Sequence, residues 1–180
     1  CALREGADFV QKQVQEADEA VKRQEYGAAM FALGKALHAL QDFYSHTNYV
    51  EKMAQGTGSF AEVQIVPLWT DPGRARLEAL LAQGLASGVV SYSDLKACPA
   101  GAPDHHEVAK DTADFNDLAR KVVPRWQNRS HYTAALDLAG QATEAFLTWA
   151  FQRWPRLSEN CGRFLGYAAP GDRRRPEMPR

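Results

Sequence analysis

The sequence predicts an all-α fold: a multi-helix bundle with long irregular loops and a flexible C-terminal tail. Three observations lead there. Apolar residues recur at helical spacing over long stretches, at Leu3, Ala7, Val10, Val14, Ala17 and Val21, and again at Ala134, Ala135, Leu138, Ala142, Ala145, Phe146 and Trp149. No segment carries a convincing strand pattern, the β-leaning piece VQIV (residues 63–66) being short and enclosed by loop residues. Residues 33–51, LGKALHALQDFYSHTNYVE, are helical in character throughout, yet place His38, Asp42 and His46 at strict four-residue steps.

Each element follows in order. The first apolar series marks an amphipathic helix whose outer face is Glu, Lys and Gln, and Gly27 closes it. A second helix is predicted from about Ala28 to Lys52. Residues 55–73, with Pro67 and Pro72, form an irregular loop whose Phe60, Ile65, Val66, Leu68 and Trp69 suit either a lipid surface or a cap on the bundle core. A short helix follows from Arg74 to about Ala86, with Leu77, Leu80 and Leu81 inward. Residues 87–104 are loop, and residues 105–126 mix helix and turn, ending near Pro124. Ser130 is a good N-cap for a long last helix over residues 131–154, stopped by Pro155. A weaker turn includes Phe164 and Leu165.

A chain of 180 residues is long enough for one domain with a real core, placed here at residues 1–167. Residues 168–180, with Arg173, Arg174 and Arg175 among Pro and Gly, are read as a disordered basic tail. A net charge of −1 argues against a nucleic-acid binder, which would need a basic surplus to neutralise phosphates. No apolar run approaches the roughly 20 residues that span a bilayer. The sequence opens at Cys1 without a signal peptide, and we expect a processed chain that is secreted or periplasmic. Cys1, Cys98 and Cys161 are an odd number without metal-type spacing, so zinc held by cysteine is not expected and a disulfide pairing is left unassigned.

On a helical wheel His38, Asp42 and His46 fall at about 0°, 40° and 80°. Phe31 and Tyr49 share that sector, and Leu33, Ala36, Leu37, Ala39, Leu40 and Phe43 fill nearly everything else. A helix apolar on most sides is usually buried, so the stripe is expected to be interior too. Burying a carboxylate and two imidazoles without partners costs several kcal/mol, and a divalent cation compensates them economically. The Cα atoms of His38 and His46 stand roughly 12 Å apart along the axis. The spacing therefore fits two ions, one per histidine, with Asp42 bridging, as in two-metal clamps on phosphoesters.

The remaining histidines lie downstream. DHHEVAKD, residues 104–111, offers Asp104, His105, His106 and Asp111, and His131 opens the last helix, where Ala134 and Ala135 allow close approach to the His38 helix. His105 and His106 cannot both point inward easily. We expect His38, Asp42, His46, His106, Asp111 and His131 as metal ligands, with Asp42 and Asp111 as the catalytic carboxylates. Lys110 is read as solvated by default, and apart from Asp42 and Asp111 no acidic residue is placed in the site.

With those residues stated, LGKALHALQDFYSHTNYVE resembles the signature helix of the Het-C heterokaryon-incompatibility family, including animal proteins that join such a domain to a von Willebrand factor A domain. That family is similar to a wider zinc-dependent phospholipase C and single-strand nuclease superfamily. VAKD (residues 108–111) resembles a family Ile-Asn-Lys-Asp element, and HYTAALDLAGQAT (residues 131–143) a His-x-x-Ala-Ala helix. The resemblance implies two or three Zn2+ ions and hydrolysis of a phospholipid phosphodiester at a membrane surface, as by a secreted bacterial effector. It also implies that a His-Phe-Asp element belongs upstream of Cys1. The alternatives are a non-catalytic helical module, stabilised by metal or used for recognition, and a nuclease. A protein partner or immunity protein is left open.

Overall fold

In a computed structural model that describes residues 2–88 and 103–161, the chain is mostly helical, with eight α-helices among the described residues. Helices α1 (Ala2–Lys22) and α2 (Tyr26–Ser45) pack along each other, joined by a tight turn in which Gln24 takes a positive φ of 62°. The periodicity of α1 does what the sequence predicts: Ala7, Val10, Ala17 and Ala20 are buried against its partner. On α2 the buried set is Ala29, Ala32, Leu33, Ala36, Leu40, Phe43 and Tyr44. Helix α7 (His131–Arg153) lies on α2 through alanine-rich turns, Ala134, Ala135, Ala139 and Ala142, which let the two backbones come close. Ser130 caps α7 by accepting the Thr133 N–H at 3.1 Å, as its residue type requires. Pro155 opens α8 (Pro155–Cys161), so the long helix ends at the expected place.

The predicted helix over residues 28–52 is two helices. It breaks after Ser45, and α3 (Tyr49–Gly56) begins afresh. Thr47 causes the break locally: its hydroxyl donates to Phe43 O at 2.6 Å and accepts from Tyr49 N–H at 3.1 Å. The break is also held from outside. Thr47 pairs with Ser87 as a β-bridge, Asn48 N–H donates to Ala86 O and Gly88 N–H to His46 O, each at 3.0 Å. Helix α4 (Asp71–Ala82) starts three residues before the expected Arg74, because Thr70 accepts the Gly73 N–H at 3.1 Å and Pro72 suits a first turn. Gly73 is obligatory there, since a Cβ would sit 1.9 Å from Pro67 O.

The loop after α3 settles its own alternative: Val66, Leu68 and Trp69 are buried and cap the bundle core. Val66 N–H donates to the Tyr44 hydroxyl at 2.9 Å, and burial pushes that phenol well above its ordinary pKa. Two four-residue helices, α5 (His105–Val108) and α6 (Asp117–Arg120), precede a short hairpin the sequence did not predict, β1 (Val122–Val123) with β2 (Arg129–Ser130), antiparallel. The basic tail, the turn at Phe164 and Leu165, Cys1 and Cys98 lie outside the described residues, as does most of the loop between α4 and α5.

Candidate metal centre

The stripe on α2 is not uniformly interior, which corrects the expectation. His38 is 80% exposed in its side chain, its Nε2 lying 3.5 Å from Asp42 Oδ2. Asp42 is half-buried. His46, at the C-terminal end, is 28% exposed. The reason is coverage: the apolar sides of α2 are covered by α1 and α7, while among the described residues the polar stripe is roofed only at its last turn, by residues 105–111.

That roof is held on by backbone chemistry. The final carbonyls of a helix have no intrahelical partner, and Ser45 O finds one in the Lys110 N–H at 2.9 Å. The next residue, Asp111, brings Oδ1 to 2.6 Å from His46 Nε2. Helix α5 is started by a capping box: Asp104 accepts the His106 N–H at 2.8 Å, and Asp104 N–H donates to Glu107 Oε2 at 3.1 Å. This start fixes the phase of α5, turning His105 toward His46, ring centroids 4.6 Å apart. His106 turns away, exposed, against Phe115. Gly88 permits the approach, because a Cβ there would lie 2.5 Å from His105 Cα.

The outcome is a cluster of His46, His105 and Asp111 whose ligand atoms all lie within 4.8 Å of one another. Two nitrogens and one carboxylate oxygen, gathered so tightly and half-open to solvent, are a donor set that fits zinc. Of the expected ligands, His46 and Asp111 are brought together. His38 and His106 stand apart from the cluster, and Asp42 is at its margin, Oδ1 lying 4.0 Å from His46 Nδ1. A cleft of about 520 Å³ lined by Gln41, Ser45, Asp111, Tyr132, Gly140 and Thr143 opens alongside.

His131 is buried, but it faces a second cluster. Its Nδ1 lies 3.4 Å from Glu51 Oε1 without forming a hydrogen bond, and Glu51 Oε2 also lacks a hydrogen-bond partner. Lys110, read from sequence as solvated, has a fully buried side chain. Its ammonium donates to Val108 O at 2.6 Å, Thr47 O at 2.8 Å and Glu51 Oε1 at 3.1 Å. Burial pushes the Lys110 ammonium down from its ordinary pKa, with Glu51 opposing. Burial works to raise the Glu51 carboxyl, but His131 and Lys110 outweigh it and hold the group below its usual value. Sequence reasoning offered His105 but chose its neighbour His106, and it missed Glu51. The Asp104-x-x-Glu107 spacing was the available signal for His105, since it sets where α5 starts.

With this geometry in hand, comparison with known families gives one result. A family model described as the VWA7 N-terminal domain matches residues 1–60. The chain is similar to that family over a third of its length, and the resemblance to Het-C and to the phospholipase C and nuclease superfamily is corrected accordingly. No curated protein and no solved structure matches the chain. The matched stretch holds α1, α2 and α3, and therefore His46 and Glu51, while His105 and Asp111 lie beyond it.

Proposed function

We propose that the domain is a zinc-dependent phosphodiesterase of phospholipase C type, with the ion at His46, His105 and Asp111. One observation carries the reading: three ligand atoms from two separate segments lie within 4.8 Å of one another on a half-open surface. Structural zinc sites are closed by four protein ligands, whereas three ligands with an open side leave room for water and substrate. Zinc held there supplies a bound water of lowered pKa and a Lewis acid for phosphate oxygens. The chain's own residues do the rest. His46 Nε2 and Asp111 Oδ1 already lie 2.6 Å apart, so the proton between them would leave as the ion takes its place. The Asp42 carboxylate beside them is placed to accept a proton from the attacking water. The cleft beside Asp111 takes the polar arm of an ester. On the other side of Asp42 an apolar groove of Phe9, Met30, Phe31 and Ala39 takes a hydrophobic arm. An amphiphilic phosphodiester, a phospholipid, fits both.

The test is elemental analysis for zinc joined to diacylglycerol release from phospholipid vesicles, with single-stranded DNA assayed beside them. Zinc near one equivalent and lipid cleavage abolished by Asp111→Asn are expected. Cleavage by zinc-free protein removes the mechanism, and cleavage of DNA alone reassigns the substrate.

A second reading is a non-catalytic module whose ion only ties residues 105–111 to α2. It is favoured by the exposed His38, since a two-ion clamp lacks its second ligand set among the described residues. Zinc that raises the melting temperature with no phosphoester cleaved selects it.

A further inference from the structure

We propose that Lys110 is the positioning residue of this centre, a buried built-in cation that holds the Asp111 carboxylate against His46. The inference rests on the zinc reading above. An ammonium has three N–H donors, and all three of Lys110 are used, on Val108 O, Thr47 O and Glu51 Oε1. Its backbone N–H takes Ser45 O at 2.9 Å. Lys110 therefore grips the residues on both sides of His46, Ser45 by its main chain and Thr47 by its side chain. Asp111, one peptide further on, is thereby presented to the His46 ring, its Oδ1 2.6 Å from Nε2. An uncharged side chain of the same length leaves Thr47 O and Val108 O without their donor and Glu51 without its counter-charge. The junction between the last turn of α2 and the 108–111 segment then loosens, and Asp111 loosens with it. The orphaned Glu51 Oε2 and His131 Nδ1 fit this division of labour. Glu51 and His131 meet at Glu51 Oε1, which the ammonium already holds, so they serve the anchor and not the zinc.

Co2+ in place of zinc gives a visible spectrum that reports the ligand set. Lys110→Met is expected to weaken Co2+ binding by roughly 10- to 100-fold, the usual effect of losing a group that orients a metal ligand, and to shift the spectrum to that of Asp111→Asn. Adding n-propylammonium to Lys110→Ala is expected to restore both affinity and spectrum. If the single variants do not fold, Lys110→Met/Glu51→Gln, which buries no unpaired charge, is read the same way. In metal-free protein the His46 imidazole 15N resonances are expected to move in Lys110→Met as they do in Asp111→Asn. Wild-type protein that takes up no Co2+ overturns the zinc reading. Unchanged Co2+ affinity, or unchanged His46 resonances in a folded Lys110 variant, overturns this one.

Discussion

Two clusters of three polar side chains stand side by side in this domain, joined by the Lys110–Asp111 peptide, and they differ in completeness. Lys110, Glu51 and His131 are buried and contain their own cation. His46, His105 and Asp111 are partly open and contain none. A buried carboxylate must be neutralised by something inside the protein, or the fold does not form. Donors at a half-exposed surface tolerate water until an ion arrives. Carboxylate and imidazole thus serve folding in one place and, under the proposed function, hold an ion in the other, and the deciding quantity is whether a protein cation already sits among them.

The sharpest way to break this contrast is to remove one charge from the inner cluster. Glu51→Gln strands the Lys110 ammonium and is expected to cost about 3–5 kcal/mol in denaturant unfolding, whereas Asp111→Asn in the metal-free protein costs under about 0.5 kcal/mol. Equal costs would erase the distinction. Next in size is the ion itself: zinc at 100 times its Kd is expected to add about 2.7 kcal/mol of stability, read as a rise in Tm. That rise disappears in His46→Ala, His105→Ala and Asp111→Asn and persists in His106→Ala. Gly88→Ala drives a methyl into His105 and Val108, and is expected to cost about 1–3 kcal/mol by overpacking while weakening zinc binding.

The pH dependence is a finer test. The Glu51 carboxyl is held below its ordinary value of 4.5 in the folded chain. Its contribution is therefore complete above the unfolded pKa and is lost as pH falls through the lower folded one. Unfolding free energy against pH should drop across that acid window in wild type and drop less steeply in Glu51→Gln, where the other lowered carboxyls, Asp18 among them, still contribute. The smallest effect belongs to His38→Ala, expected to change stability by less than about 0.5 kcal/mol and zinc affinity not at all. A large loss of zinc would restore His38 to the centre.

The helices were legible because burial repeats every three to four residues along α1, α2 and α7, and caps such as Ser130 are local. The break after Ser45 was not legible, since the groups that hold it, Ser87, Gly88 and Lys110, come from about forty to sixty-five residues downstream. A wheel also reports only the angle of a side chain about its own helix. It gave His38 and His46 equal standing, and the covering segment over one turn separates them. Lys110 was misread for a sound reason: lysine is almost never fully buried unless paired, and its partner Glu51 lies across the break on α3. His131 was expected among the zinc ligands, and it is interior as that demanded, but it belongs to the neighbouring ion pair.

The three donors come from two stretches far apart in the chain, so the helical scaffold and the full donor set are encoded separately. Residues 1–60, the stretch that matches the VWA7 N-terminal domain, hold the α1–α2 pair and a single donor of the three, His46. The other two donors, His105 and Asp111, wait on the short Asp104–Asp111 segment, so a change confined to that segment removes the donor set and leaves the helix pair intact.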